Sequence, residues 1–423
     1  MEVLLCLHKY FFKERTKTMK FIHAADLHLD TPFAGLSNLP YDLFERMKSA
    51  TFDAFDRLID ETIAYSVDAL IIAGDIYDLE SQSVKAQLAF QNGMERLAEA
   101  GIKAFVSHGN HDHLTPTSKA MAYPENVHVF SPKGETVDFV TRDGESVAIS
   151  GFSYDKRWID VNRLKNYPIK SKSHQYHIGM LHGDQYKSST PNHYAPYTLD
   201  DIKNLHYNYL ALGHIHVRKT VLDSPKAYYS GSLQGLSSKE TGPKGYLMVE
   251  LDNTKVHVNF HELSPIVWEN KYVDISGVQQ VSEIATKIEA LFATYTDDNI
   301  ILLSVTLKHA SKLDQTIVES IQSGELREAL ESRYEKTGVY LYRVDLADVE
   351  RPVIDDLYQQ FPKAFEKSLG HLFEKDQFKK LTDELFIEQK TVRNTFERDK
   401  AYIAKMKRTL GNTDKREEDS HDN

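Results

Sequence analysis

Residues 69–78 read Ala69-Leu70-Ile71-Ile72-Ala73-Gly74-Asp75-Ile76-Tyr77-Asp78. Five apolar residues without alternation predict a short strand buried on both faces. The glycine that follows lets the backbone come close to whatever Asp75 serves. The same grammar recurs along the chain. Lys20–Ala24 precedes Asp26-Leu27-His28, and Ile102–Val106 precedes Gly109-Asn110-His111-Asp112. Ile178–Leu181 precedes His182-Gly183, and Tyr209–Leu212 precedes Gly213-His214-Ile215-His216. Between the early runs, Tyr41–Tyr65 and Ser83–Ala100 have the spacing of amphipathic helices. Short apolar runs alternating with helices make an α/β pattern. If the runs belong to one sheet, every motif projects from a strand's carboxyl end, where open α/β sheets carry their sites. Val129–Ser150 and Ala227–Phe260 read as antiparallel strands with glycine-containing turns.

Around Ser264-Pro265 the pattern changes. Lys271–Ile275, Val281–Phe292, Ile300–Leu307, Leu313–Tyr334 and Val339–Val344 predict strand, helix, strand, helix and strand, a small α+β module. After Arg351-Pro352, Tyr358, Phe361, Phe365, Leu369 and Phe373 recur at helical spacing, and a second helix is expected from about Asp376 to Leu410. This aromatic stripe reads either as core or as a helix pair that docks a partner. The polar, acidic Gly411–Asn423 reads as disordered. In the first 18 residues, Val3–Leu7 is too short for a signal-peptide core and follows an acidic Glu2. That stretch reads as a frayed extension or an upstream start. The expected organisation is therefore 1–18, 19–262, 263–350, 351–411 and 412–423.

The 423 residues carry 51 Lys+Arg and 62 Asp+Glu, a formal net charge of −11, with 41% apolar residues. Such a length and composition fit two or three soluble domains. The single cysteine, Cys6, excludes a disulfide framework and a thiolate zinc site, and with no signal-like segment it points to the cytoplasm. No apolar run approaches the roughly 18–20 residues of a membrane helix. A net negative charge argues against nucleic-acid binding through bulk positive charge. No GxxxxGK[ST] phosphate loop occurs, so nucleotide hydrolysis through such a loop is not expected.

The motif residues are oxygen and nitrogen donors, a set suited to Mn²⁺, Fe²⁺ or Zn²⁺ in five- or six-coordinate geometry. A two-metal phosphoesterase needs one carboxylate bridging cations about 3.5–4 Å apart, and further ligands for each ion. Asp26 and His28 flank a turn and can reach one ion; Asp75 is the natural bridge; Asn110 offers an amide oxygen. His182, His214 and His216 complete the shells, and the alternation at 214–216 turns both imidazoles the same way on an extended segment. His182 is preferred over His174, His177 and His193 because it ends an apolar run. His111 neighbours a ligand and is free for general acid work. His23 reads as a satisfied core residue, and His108 and His113 as outside candidates for substrate contact. The Ser230-Gly231-Ser232-Leu233 loop reads equally as a phosphate contact and as a tight bend.

The forms D-x-H-L-D at Asp26–Asp30, G-D-x-x-D at Gly74–Asp78, G-N-H-D at Gly109–Asp112 and G-H-x-H at Gly213–His216 resemble those of the calcineurin-like metallophosphoesterases. Among these they are similar to the SbcD-type DNA repair nucleases, and the whole chain resembles the YhaO branch. The resemblance is strong over Met19–Glu262 and mostly architectural over Leu263–Leu410. It implies a metallophosphoesterase β-sandwich flanked by helices, then a small α+β capping module and a C-terminal helical, partner-docking region. It implies two divalent ions, Mn²⁺ foremost, the first held by Asp26, His28, Asp75 and His216 and the second by Asp75, Asn110, His182 and His214. His111 would stabilise or protonate the leaving oxygen, with Asp78 orienting it. The implied activity is that of an exonuclease on duplex DNA ends and an endonuclease on single strands, in DNA repair. The implied partners are a second copy of the chain and an SMC-like ATPase of the SbcC or YhaN kind.

Two other functions fit the same motifs. One is hydrolysis of small phosphodiesters or phosphoproteins, which leaves the appended module without a purpose. The other is a non-catalytic DNA-binding scaffold, which the complete ligand set disfavours. Two divalent cations would add positive charge at the catalytic face, so the acidic total predicts weak, salt-sensitive DNA affinity rather than none.

Overall fold

The computed structural model describes residues 18–347, apart from residues 32, 34–39, 79–82, 115–122, 187–192, 253, 296–298 and 335–337. The expected C-terminal helices, the aromatic stripe and the acidic tail lie outside the described residues, as does the N-terminal extension up to residue 17.

In chain order the strands of the first part are β1 (Met19–Ala24), β2 (Ala69–Ala73), β3 (Lys103–Ser107), β4 (Val127–Val129), β5 (Glu135–Val140) and β6 (Ser146–Gly151). There follow β7 (Tyr176–His182), β8 (Tyr209–Gly213), β9 (Lys219–Asp223), β10 (Lys226–Tyr229), β11 (Gly245–Leu251) and β12 (Val256–Glu262). They form two sheets. The first runs β12-β11-β1-β2-β3-β4 and the second β5-β6-β7-β8-β10-β9. The motif-bearing strands are thus divided between two sheets, β1, β2 and β3 in one and β7 and β8 in the other. The single-sheet expectation fails because β2 is apolar on both faces. Leu70 and Ile72 meet the helix layer, while Ile71 meets Ile178, Met180 and Tyr209 of the second sheet. Alternate side chains of one strand therefore serve two cores. Each fully buried Leu or Ile contributes roughly 1.5–3 kcal/mol.

The antiparallel reading holds for β5 with β6 and β11 with β12. It does not hold for β4, which runs parallel to β3, and holds on one side only of β10, which is antiparallel to β9 and parallel to β8. Helices α1 (Tyr41–Ala64) and α2 (Val84–Glu99) cover the outer face of the first sheet. Leu43, Met47, Phe55, Leu58 and Ile59 are buried at three- and four-residue spacing along α1. The start of α2 is fixed by Ser83, whose side chain accepts from the Ala86 N–H. The short α3 (Leu199–Leu205) opens with a capping box between Thr198 and Asp201 and packs on the second sheet.

The last part is a parallel sheet of β13 (Ile266–Asp274), β14 (Ile300–Lys308) and β15 (Val339–Leu346). Helices α4 (Val281–Phe292), α5 (Gln315–Gln322) and α6 (Glu325–Tyr334) cover one of its faces. The first strand begins at Ile266, earlier than the expected Lys271, because Ile266 and Trp268 pack against Leu43, Met47 and Ala50 of α1. The single helix expected over Leu313–Tyr334 is two helices, broken where Gly324 takes φ +87°. Among the described residues, no helix is long and apolar enough to cross a membrane.

Candidate metal centre

The loops after β1 and β2 run side by side. The Asp26 N–H donates to the Gly74 carbonyl at 3.1 Å, His28 N–H to Asp75 O at 3.1 Å and Leu29 N–H to Ile76 O at 2.9 Å. Asp26 (φ 51°), His28 (φ 43°), Asp75 (φ 51°) and His214 (φ 101°) all occupy the left-handed backbone region. Non-glycine residues seldom sit there, and such strain concentrates at functional sites. Gly74 is also left-handed at φ +89°, and a Cβ on it would overlap the His182 imidazole. The glycine before Asp75 thus admits a histidine from the opposite sheet.

The seven expected ligands come together in one cluster. His28 Nε2 and His216 Nε2 are 3.0 Å apart. On the other side, His182 Nε2 and His214 Nδ1 lie 3.0 and 3.1 Å from the same Asn110 Oδ1. Asp75 stands between, its Oδ2 3.2 Å from His182 Nε2 and 3.8 Å from His28 Nε2. Asp26 accepts the His214 N–H at 3.0 Å and lies 3.8 Å from His182 Nδ1. Donor atoms of Asp26, His28 and His216 fall within 4.8 Å of one another, as do those of Asp26, Asp75 and His182 and those of His28, Asp78 and His111. The two histidines at 214 and 216 both reach the cluster, while Ile215 between them packs on the apolar core, but they meet different partners. The φ of His214 breaks the extended segment, so His214 meets Asn110 and His216 meets His28.

This donor set fits divalent cations. Asp26 and Asp75 are both 1% exposed, and among the described residues their ion-pair partners are histidines alone. Two buried carboxylates with no lysine or arginine among their described ion-pair partners are costly, and the one proton available to them is that on His182. Burial raises Asp26 to about 6, against the pull of His216 and His182. Burial opposes ionisation of Asp75 too, but the His182 charge and hydrogen bond hold its carboxyl well below the usual range. Burial likewise works against the charged form of His182, yet Asp75 and Asp26 lift it to about 9. Burial lowers His28 to about 4 and His214 to about 3, leaving neutral imidazoles with a lone pair to offer. A cation between the carboxylates would take over the role of the His182 proton, so binding releases it.

His111 sits at the rim with its side chain 37% exposed. Its N–H donates to Asp75 Oδ1 at 3.0 Å, and its Nδ1 lies 3.3 Å from Asp78 Oδ1. The hydrogen bond to Asp78 raises its pKa, against a lesser effect of burial. His108 is buried on Asp112 at 3.1 Å, and His113 reaches back to the Asn110 carbonyl at 3.3 Å. His23 is buried beside the Tyr209 hydroxyl at 3.0 Å. The rivals of His182 are engaged elsewhere, His174 with Asp138, His177 with Ser150 and His193 with Asp160. In the Ser230–Leu233 loop both serines are buried, and the Ser232 N–H donates to His216 O at 3.3 Å. That loop cushions a histidine turn.

Two residues escape a reading of the sequence. Asp112 accepts from Gly109 N–H at 2.7 Å and Ile76 N–H at 2.9 Å, tying the loops after β3 and β2. Its signal is its place as the last residue of G-N-H-D. Glu240 lies 3.0 Å from His216 Nδ1, and no spacing signals it.

A family model described as calcineurin-like phosphoesterase matches residues 19–218. A metallophosphoesterase named YhaO from Bacillus subtilis is 38% identical over 277 residues, which are 65% of this chain and 68% of that protein. The chain belongs to the calcineurin-like phosphoesterase family. This phosphoesterase is also 28% identical over 287 residues to a DNA double-strand break repair protein Mre11 from Methanocaldococcus jannaschii, covering 64% of the chain and 73% of the relative. It is 25% identical over 302 residues to one component of the nuclease SbcCD from Staphylococcus saprophyticus, covering 64% and 76%. The family hydrolyses phosphoesters at a dinuclear metal site, and the phosphoesterase brings a donor set for such a site to one place.

Proposed function

We propose that this phosphoesterase cleaves DNA phosphodiesters at a two-cation centre, as an exonuclease on duplex ends and an endonuclease on single strands. The observation that carries the reading is the position of Asp75, whose one oxygen faces His182 on one side and His28 on the other. Asp26, His28, Asp75 and His216 would hold one ion, and Asp75, Asn110, His182 and His214 the second. The mixed oxygen and nitrogen donors suit Mn²⁺. When bound, the pair supplies Lewis acidity at the phosphoryl group and the charge that activates a water. The chain's own residues do the rest. Asp75 keeps the two halves in register, and its Oδ1 anchors the His111 backbone. Asp78 fixes the His111 tautomer through Nδ1 and favours the protonated ring. The His111 Nε2–H is then the proton donor to the leaving oxygen.

DNA as substrate is supported by the relatives named for double-strand break repair and for a nuclease. The same reading includes a role in DNA repair in the cytoplasm, with residues 263–350 as a capping module and 351–411 docking an SMC-like ATPase. A second copy of the chain is the other partner of this reading. The test is an Mn²⁺-dependent assay on linear and circular DNA, with a small phosphodiester alongside. Wild type is expected to cut DNA and Asp75→Ala to cut nothing. Hydrolysis of the small phosphodiester with intact DNA would overturn the DNA reading.

A further inference from the structure

Among the described residues, His216 is the one expected ligand whose second ring nitrogen meets a carboxylate outside the ligand set, Glu240 at 3.0 Å from Nδ1. With Nδ1–H donating to Glu240, the Nε2 lone pair is left facing His28 and Asp26. The carboxylate is itself held. Its Oε2 accepts the Leu236 N–H at 3.1 Å, so each oxygen has its own donor. A Cβ on Gly235 would meet the Glu240 carbonyl at 2.8 Å, which keeps the turn closed. The loop that carries Glu240 is strapped to β13. Trp268 Nε1–H donates to Gly235 O at 2.9 Å, Gly242 N–H to Trp268 O at 2.9 Å and Asn270 Nδ2 to Ser238 O at 3.1 Å. On the far side Lys244 Nζ donates to the His216 carbonyl at 3.0 Å. The imidazole and its backbone are therefore both clamped by one stretch, residues 235–244.

We propose that Glu240 is a positioning residue of the metal centre: it fixes the Nδ1–H tautomer and the ring direction of His216, and the module strand β13 fixes Glu240. The proposal rests on the reading of His216 as a metal ligand. Carboxylates behind ligating histidines orient the ring and raise its basicity, and their loss typically costs about 10–100-fold in metal affinity. Glu240→Gln is the informative change, because an amide keeps the shape but cannot accept from both donors.

The experiment is titration of the full chain, stripped of metal, with Mn²⁺ alone, read as two binding affinities. Thermal unfolding without metal is followed in parallel, and His216→Ala serves as control. His216→Ala is expected to lose one of the two affinities. Glu240→Gln is expected to weaken that same affinity about 10–100-fold, leave the other within about threefold, and melt without metal as wild type does. Glu240→Ala is expected to weaken it further. If His216→Ala loses one ion and Glu240→Gln binds both as wild type does, the positioning role is overturned while the ligand reading stands. If His216→Ala binds both ions normally, the ligand reading falls and the proposal with it. Equal weakening at both ions with a lowered metal-free melting point shows a merely structural residue and also overturns it.

Discussion

Asp75 is held from three directions, by His182, by His28 and by the His111 backbone. That arrangement is legible in the sequence because each expected ligand stands just after an apolar run stops, and a strand end fixes a side chain's place more firmly than a loop does. Glu240 is not legible, since it sits 24 residues from His216 and meets it only through the course of a loop. The backbone of His214 departs from the extended segment that alternation assumes, with φ 101°, and His214 and His216 meet different partners. Two kinetic outcomes belong to this scale. His111→Ala is expected to lower kcat by about 10²–10⁴-fold with unchanged Mn²⁺ affinity, checked by steady-state rates and metal titration. Asp78→Asn, which keeps the shape and loses the charge, is expected to cost about 10–100-fold in kcat with little change in KM.

At the scale of elements, the strands, the two long helices and the module's α/β alternation can be read from apolar runs. Which sheet each strand joins cannot. The run Ala69–Ala73 is apolar on both faces, and that leaves open whether helices or another sheet cover the second face. Glycines mark where the elements close on each other. A Cβ on Gly213, at the end of β8, would overlap the carbonyl of Ala73 at the end of β2. Gly213→Ala is therefore expected to cost about 1–3 kcal/mol or more in denaturant unfolding, because backbone has no room to yield. At Gly324, between α5 and α6, a Cβ would meet nothing within 4 Å. Gly324→Ala there is expected to cost only the left-handed strain, about 1–2 kcal/mol.

For the whole molecule, acid stability depends on histidines buried away from the metal centre. Burial lowers His23 from 6.5 to about 3 and His177 from 6.5 to about 4. Unfolded, both rings take up a proton near 6.5; folded, they stay neutral until those lower values. The unfolded state then binds more protons, so stability is full above about 6.5 and falls as pH drops toward 4, by up to about 1.4 kcal/mol per pH unit for His23 and by less for His177, which solvent screens in part. A His23→Gln, His177→Gln double variant is expected to show a flatter decline in denaturant midpoint over that window. The central claim concerns the centre itself, two cations joined by one carboxylate. Its most direct test is the Mn²⁺ stoichiometry of the full chain together with its electron paramagnetic resonance spectrum. Two ions per chain with a spin-coupled signal, lost in Asp75→Ala, is the predicted result. A single ion, or two ions whose signals are uncoupled in the wild type, would contradict it.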